Sequence, residues 1–170
     1  MKTVDYIRMG LETSKMFTLG LLDDMKDAPL AQPTPDGGNH PLWILGHLAY
    51  AEANIVDHII LGNENPLIGW KEMFGNSIEV SRGPVTDADF YLPWDEVRQK
   101  FDEVRVQTMS TLDRLSDEDL DLPSKNCPPG REQMLGTVGG CFLILTLHPL
   151  MHYGQVADAR RMAGRGPLFA

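Results

Sequence analysis

Between Met134 and Ala157 the chain carries no Asp, Glu, Lys or Arg, although such residues make up 23% of the whole. A stretch this long without a charge must be hidden from water on most sides, in lipid or at the centre of a protein core. It also holds His148, Pro149, His152, Gln155 and four glycines. That polar load is too high for exposure to hydrocarbon on all sides. The expectation is a buried central helix, running from about Glu132 to Ala163 and stopped by Gly164 and Pro167.

Three further segments have helical apolar spacing. Thr3 to about Asp24 opens with Val4, Ile7 and Leu11 and continues through Met16, Leu19 and Leu22, with Thr3 or Asp5 as its cap. Asp27 to Pro41, with four prolines and a Gly-Gly pair, is a connection. Leu42 to Leu61 follows, with Pro41 at its start and Gly62 just past its end. Its inward stripe is Ile44, His47 or Leu48, Ala51, Ile55, and His58 or Ile59. Trp94 to Leu115 has the clearest pattern: Val97, Phe101, Val104, Thr108, Leu112 and Leu115 fall at steps of four, three, four, four and three.

The connection 62–93, about 30 residues long, exceeds ordinary loops. It is expected to contain short helical pieces, such as Trp70 to Phe74, or to serve a function. Ser116 to Leu120 resembles a capped acidic turn, and Leu122 to Gly130, with three prolines, leads to the last helix. No period-two strand or close hairpin signal is present. The sequence predicts an all-α fold: a single domain, 1–170, forming a four-helix bundle with a long connection between helices 2 and 3.

A formal net charge of −9 disfavours nucleic acid as a partner, because such binding relies on Lys and Arg displacing counterions. Arg160, Arg161 and Arg165 gather at a helix end, where they complement the helix dipole. Cys127, in a Lys-Asn-Cys-Pro-Pro-Gly loop, and Cys141, in an apolar run where it reads as packing, make no disulfide framework. Asp5, Arg8 and Glu12 stand where a secretory signal needs its apolar stretch. The expected setting is cytoplasmic, with neither a membrane nor a nucleic acid as partner.

His148 and His152 are spaced i, i+4, which places both imidazoles on one helix face within reach of a single ion. Two buried histidines on one face need an explanation, and a shared cation supplies it. His47, in the inward stripe of the second helix and next to Gly46, is the third candidate ligand. His58 competes, but lies eleven residues on, about 16 Å along the helix, too far to share an ion with His47. His40, in the linker before Pro41, reads as solvated. Pro149 stands where a zincin peptidase would carry its Glu, which excludes that class. Glu52 and Gln155 are the candidate catalytic or ligand-orienting groups, against a plainer role in packing; Tyr153 is as ambiguous.

The run Trp43-Ile44-Leu45-Gly46-His47-Leu48-Ala49-Tyr50-Ala51-Glu52 resembles the second-helix motif of the DinB-like (damage-inducible) superfamily. The run His148-Pro149-Leu150-Met151-His152-Tyr153-Gly154-Gln155, followed by Arg160-Arg161 and Gly164, is similar to its His-x-x-x-His-x-Gly-Gln signature. Leu115-Ser116-Asp117-Glu118-Asp119-Leu120 resembles its turn after helix three. The proline between the paired histidines departs from the pattern. The resemblance implies a four-helix bundle, often dimeric, with zinc or nickel on residues corresponding to His47, His148 and His152. Some relatives are metal-dependent transferases or isomerases acting with low-molecular-weight thiols such as bacillithiol or mycothiol, and many have no known activity. Two functions follow as expectations. One is a homodimeric metal-dependent transferase or hydrolase acting on a small molecule or thiol. The alternative is a non-catalytic protein whose ion fastens two helices.

Overall fold

α1 (Thr3–Asp23) begins where its exposed N–H groups find carboxylates. Asp5 accepts from Lys2 N–H at 3.1 Å, and Asp117, from the acidic turn, accepts from the N–H groups of Thr3 and Val4 at 2.9 and 3.0 Å. The computed structural model describes residues 1–34 and 38–168, and these are helical with no β-strand. The other long elements are α2 (Pro41–Ala53), which runs on into a π-helical stretch Asn54–Ile60, α5 (Trp94–Leu112) and α7 (Val138–Met162). Short α3 (Lys71–Phe74), α4 (Ser77–Val80) and α6 (Glu132–Leu135) lie between them. The expected helix near Trp70 is present, as a 3-10 turn over Ile68–Trp70 leading into α3. No helix among the described residues is long and apolar enough to cross a membrane.

Three expectations need correction. The helix expected over Glu132 to Ala163 is two, α6 and α7, parted at Gly136 and Thr137. Thr137 is extended and caps α7 by accepting the Gly140 N–H at 3.1 Å. The neighbouring backbone groups bond to the preceding loop instead of a helix: Ser124 N–H to the Gly136 carbonyl, and Val138 N–H to that of Leu122. Secondly, the central helix is α2, which is buried at every residue except Ala51. α7 leaves Leu143, Leu147, Leu150 and Met151 exposed. Lastly, the second helix widens after Ala53, with Leu61 N–H reaching back five residues to the Val56 carbonyl. This turn buries the pairs Ile55–Val56 and Ile59–Ile60 and leaves His58 exposed. The Ile59 carbonyl receives the N–H groups of Lys125 and Asn126 at 2.8 and 3.1 Å.

α1 lies along α7, and α2 along α5. Gly10 faces Thr146, and Asp24 pairs with Arg160 at 2.8 Å. Both pairs have the same offset in sequence, so α1 and α7 run in parallel. Arg165 also bonds Asp24 and Asp27, so two of the three terminal arginines clamp α7 to α1 beyond complementing its dipole. Arg160 holds the Asp24 carboxyl below the usual carboxylate range. The apolar residues form two clusters. One gathers Trp43, Leu48, Phe74, Trp94 and Phe101 around α2; the other gathers Leu11, Ile59, Leu112, Cys141 and Phe142 around the π-helical stretch. Burial raises the Cys141 thiol to about 12, which suits its packing role.

α2 and α5 are joined by a buried ion pair. Arg105 donates to the Glu52 carboxylate at 2.7 Å and to the Leu11 carbonyl of α1 at 2.7 Å. Removing one partner strands the other charge in an apolar interior, which costs about 3–5 kcal/mol, whereas removing both costs far less. Arg105→Met is therefore expected to lower the unfolding free energy by about 3–5 kcal/mol, and adding Glu52→Leu to restore most of it. Urea denaturation of the single and double variants checks this; equal losses in both would refute the coupling.

Candidate metal centre

The centre starts from the way α2 is made. His40 caps the helix, its Nδ1 accepting the Trp43 N–H at 3.1 Å, and Pro41 occupies the first turn, where its missing N–H costs nothing. Contrary to the solvated role expected from sequence, His40 is fully buried. Since Nδ1 accepts, Nε2 carries the proton and donates to the Val85 carbonyl at 2.8 Å. The Tyr91 ring stands edge-on to it.

One turn after Trp43, His47 stacks on its indole at 4.3 Å between ring centroids, the two planes nearly parallel. His47 Nδ1 lies 2.9 Å from the Phe74 carbonyl, which can only accept, so the ring proton is on Nδ1 and Nε2 is a bare lone pair. Gly46 makes this possible. A Cβ at that position would overlap the Phe74 ring, so glycine admits α3 close enough for its carbonyl to reach His47. The element that Gly46 brings close to α2 is thus α3.

α7 supplies the other two imidazoles. The helix continues through Pro149, and His148 and His152 stay on one face, with their Nε2 atoms 3.2 Å apart. His152 Nδ1 donates to Gln155 Oε1 at 2.7 Å, and the same oxygen accepts from Asn39 Nδ2 at 3.1 Å. His152 thus has the tautomer of His47, with Nε2 free to bind. The ring centroids of His47 lie 5.0 Å from those of His148 and 5.3 Å from those of His152. One nitrogen from each of the three falls within 4.8 Å of the others, an arrangement that can hold a metal ion.

Burial lowers all three pKa values. For His47, burial and then the neighbouring His152 push it down to about 4, against the pull of the Phe74 carbonyl. For His148, burial and then both other histidines push it to about 3. His152 is lowered by burial, opposed by its bond to Gln155. Neutral imidazole is the form that binds metal, so proton competition is weak near neutrality.

The remaining candidates divide. Gln155 touches His152 directly. Glu52 is tied to Arg105, five residues along α2 from His47. His58 points to solvent, its Nδ1 on the Asn63 carbonyl at 3.0 Å. Tyr153 packs against the α2 core cluster. Sequence reasoning missed the Trp43 stack, which its i, i+4 spacing from His47 would have revealed. It also missed the Phe74 carbonyl, which has no side-chain signature.

The depressed values give a pH dependence with a definite sign. Between about 6.5 and about 4 the unfolded chain takes up protons on these histidines that the folded chain does not. Stability conferred by the neutral cluster is whole above about 6.5 and falls as pH drops toward 4. Protein stripped of metal is expected to lose up to about 1.4 kcal/mol per pH unit per histidine in this window. Denaturation curves for the wild type and His148→Gln check it; parallel pH profiles would show that the histidine does not contribute.

No curated protein matches this chain. The family model of the DinB superfamily matches residues 11–156, a span that contains α2, the 62–93 connection and the whole histidine cluster of α7. The chain belongs to the DinB superfamily.

Proposed function

We propose that the chain is a single four-helix-bundle domain that binds one divalent ion, zinc or nickel, through His47, His148 and His152. Acting with that ion, it is a transferase or hydrolase on a small molecule, with a low-molecular-weight thiol as the co-substrate that the family resemblance implies. The observation that carries the reading is the fixed tautomer of two of the three histidines. Phe74 and Gln155 each hold a proton on Nδ1 and leave Nε2 unprotonated, that of His152 lying 3.2 Å from His148 Nε2, in a group whose ligand atoms fall within 4.8 Å of one another. Such partners orient a ligating histidine and raise its basicity. When bound, the ion supplies Lewis-acid chemistry, lowering the pKa of a water or thiol.

An active role is favoured over a fastening one by the donor count. Among the described residues, the group holds three histidines and no fourth His, Cys, Asp or Glu. Three protein ligands leave a position open, whereas structural zinc sites are closed by four. His148 and His152 are only half-buried, so a small molecule could reach the cluster from their side.

Purified protein, reloaded with zinc or nickel if needed, is expected to carry one ion per chain, and His148→Ala to lose most of it. Elemental analysis measures this, and protein that takes up neither metal would sink the reading. Cobalt(II) in place of zinc then reports the open position. Bacillithiol, mycothiol or a simpler thiol is expected to produce a thiolate-to-metal charge-transfer band that disappears in His152→Ala. A response to azide but to no thiol would leave hydrolysis and remove thiol transfer. No response to any small anion would mean a closed shell, and the fastening role would stand.

A further inference from the structure

His47 and His152 reach the same tautomer by different means. The Phe74 carbonyl, 2.9 Å from His47 Nδ1, can only accept, so that ring has no choice. His152 is bounded on both sides by groups that can work either way. Its Nε2 lies 3.2 Å from His148 Nε2, and one proton can sit on either nitrogen of that contact. The decision therefore falls to Gln155, whose amide can present its oxygen or its NH2 to the ring. With Oε1 toward His152, Nδ1 holds the proton and Nε2 is a lone pair. With the amide reversed, Nδ1 must accept, and the proton moves to the nitrogen that would bind the ion.

Asn39 meets the same Gln155 atom. Its Nδ2 donates to Oε1 at 3.1 Å, while His152 Nδ1 donates to that oxygen at 2.7 Å. Reversing the Gln155 amide alone would then set NH2 against NH2. Asn39 is held from the α2 side. The next residue, His40, caps α2 by accepting the Trp43 N–H and is anchored at its other nitrogen by the Val85 carbonyl. Trp43 in turn stacks on His47 and stands edge-on to His152, 6.0 Å between ring centroids. The segment that starts α2 thus bonds, across 116 residues of sequence, to the helix carrying the other two histidines.

We infer that Asn39 is a positioning residue of the metal centre: by donating to Gln155 Oε1 it keeps the His152 proton on Nδ1 and leaves Nε2 open to the ion. This role presupposes the metal-binding reading above and adds a residue outside both histidine motifs. What position 39 must supply is a donor. An ionised aspartate has nearly the shape of asparagine but only accepts, so it would draw the Gln155 NH2 toward itself and reverse His152. A glutamate at position 155 has no NH2 to present when ionised, and would hold the proton on Nδ1 whatever stands at position 39.

Zinc affinity, measured by competition with a chromophoric chelator, and nitrogen NMR of the metal-free full chain test the role. Asn39→Asp is expected to move the His152 proton to Nε2 and to weaken zinc binding about 10–100-fold, the usual cost of losing an outer partner of a ligand. Circular dichroism should not change. Asn39→Ala is expected to cost on the order of 10-fold with Gln155 in place, and less than about 2-fold in a Gln155→Glu background. Packing alone would make Asn39→Ala equally costly in both backgrounds, and that result overturns the inference. So does Asn39→Asp protein that keeps the His152 proton on Nδ1, or that binds zinc as tightly as the wild type. Because the tautomer is read without metal, a wild type that takes up no ion removes the metal reading while the effect of Asn39 on His152 is still decided.

Discussion

α2 has almost no face turned to water, and each polar side chain on it must therefore find a partner inside the protein. An unpaired buried donor or acceptor costs about 1–3 kcal/mol, and a buried charge more. Three of its polar side chains each recruit a different element. His47 takes the Phe74 carbonyl from α3, Tyr50 donates to Glu79 of α4 at 3.3 Å, and Glu52 takes Arg105 from α5. His40, the cap, adds the Val85 carbonyl. Desolvation raises the Tyr50 hydroxyl to about 12, so it stays a donor at any ordinary pH. The long 62–93 connection is thus a wrap around α2, held by the polar groups that α2 cannot expose.

The same constraint explains how much could be read from sequence. α5 was legible almost to the residue, because one apolar face and one wet face leave a periodic stripe. α2 was legible as a helix but not as the central one. A helix buried all round has no dry face to set against a wet one: the inward stripe expected on it included Ala51, the one residue of α2 that is not buried, and left Trp43, Leu45, Ala49 and Tyr50 outside although all four are buried. The charge-free stretch of α7 drew the central role to itself, yet its freedom from charge reflects an apolar outer face. The start of α1 was placed at Thr3, where it lies, though the Asp117 carboxylate that caps it from a distance was not foreseen; the start of α7 escaped, because the loop 122–124 sets it.

The candidate site was legible where spacing alone fixes geometry. His148 and His152 must share a face on any helix, and either His47 or Leu48 was expected to point inward from an apolar run; both are buried. Their orienting groups were less visible. Gln155 sits three residues from His152 and could be named, but the Phe74 carbonyl could not. The burial of His40 likewise depends on Val85 and Tyr91, which join it only in the fold. Glu52 attracted attention as an acid near a histidine, and nothing in local spacing tied it to Arg105.

Arg105 gives that carboxylate a partner away from the histidines, and this bears on the chemistry of the centre. A site built from neutral imidazoles alone leaves the charge of a bound dication undiminished, whereas carboxylate or thiolate ligands would offset it. Were zinc or nickel bound, that charge would favour an anionic ligand from outside, and a soft, polarisable one would suit either metal. The apolar surroundings act in the same direction. Trp43 stacked on His47 keeps water from one side of the cluster and lowers the local dielectric, which strengthens each charge interaction there. Burial that makes protonated histidine unfavourable leaves the lone pairs available to a cation at neutral pH. The pairing of Glu52 with Arg105 and the neutrality of His47 are therefore linked: both follow from burying α2, and with His148 and His152 of α7 also lowered by burial, a dication held there would favour negative charge from solution.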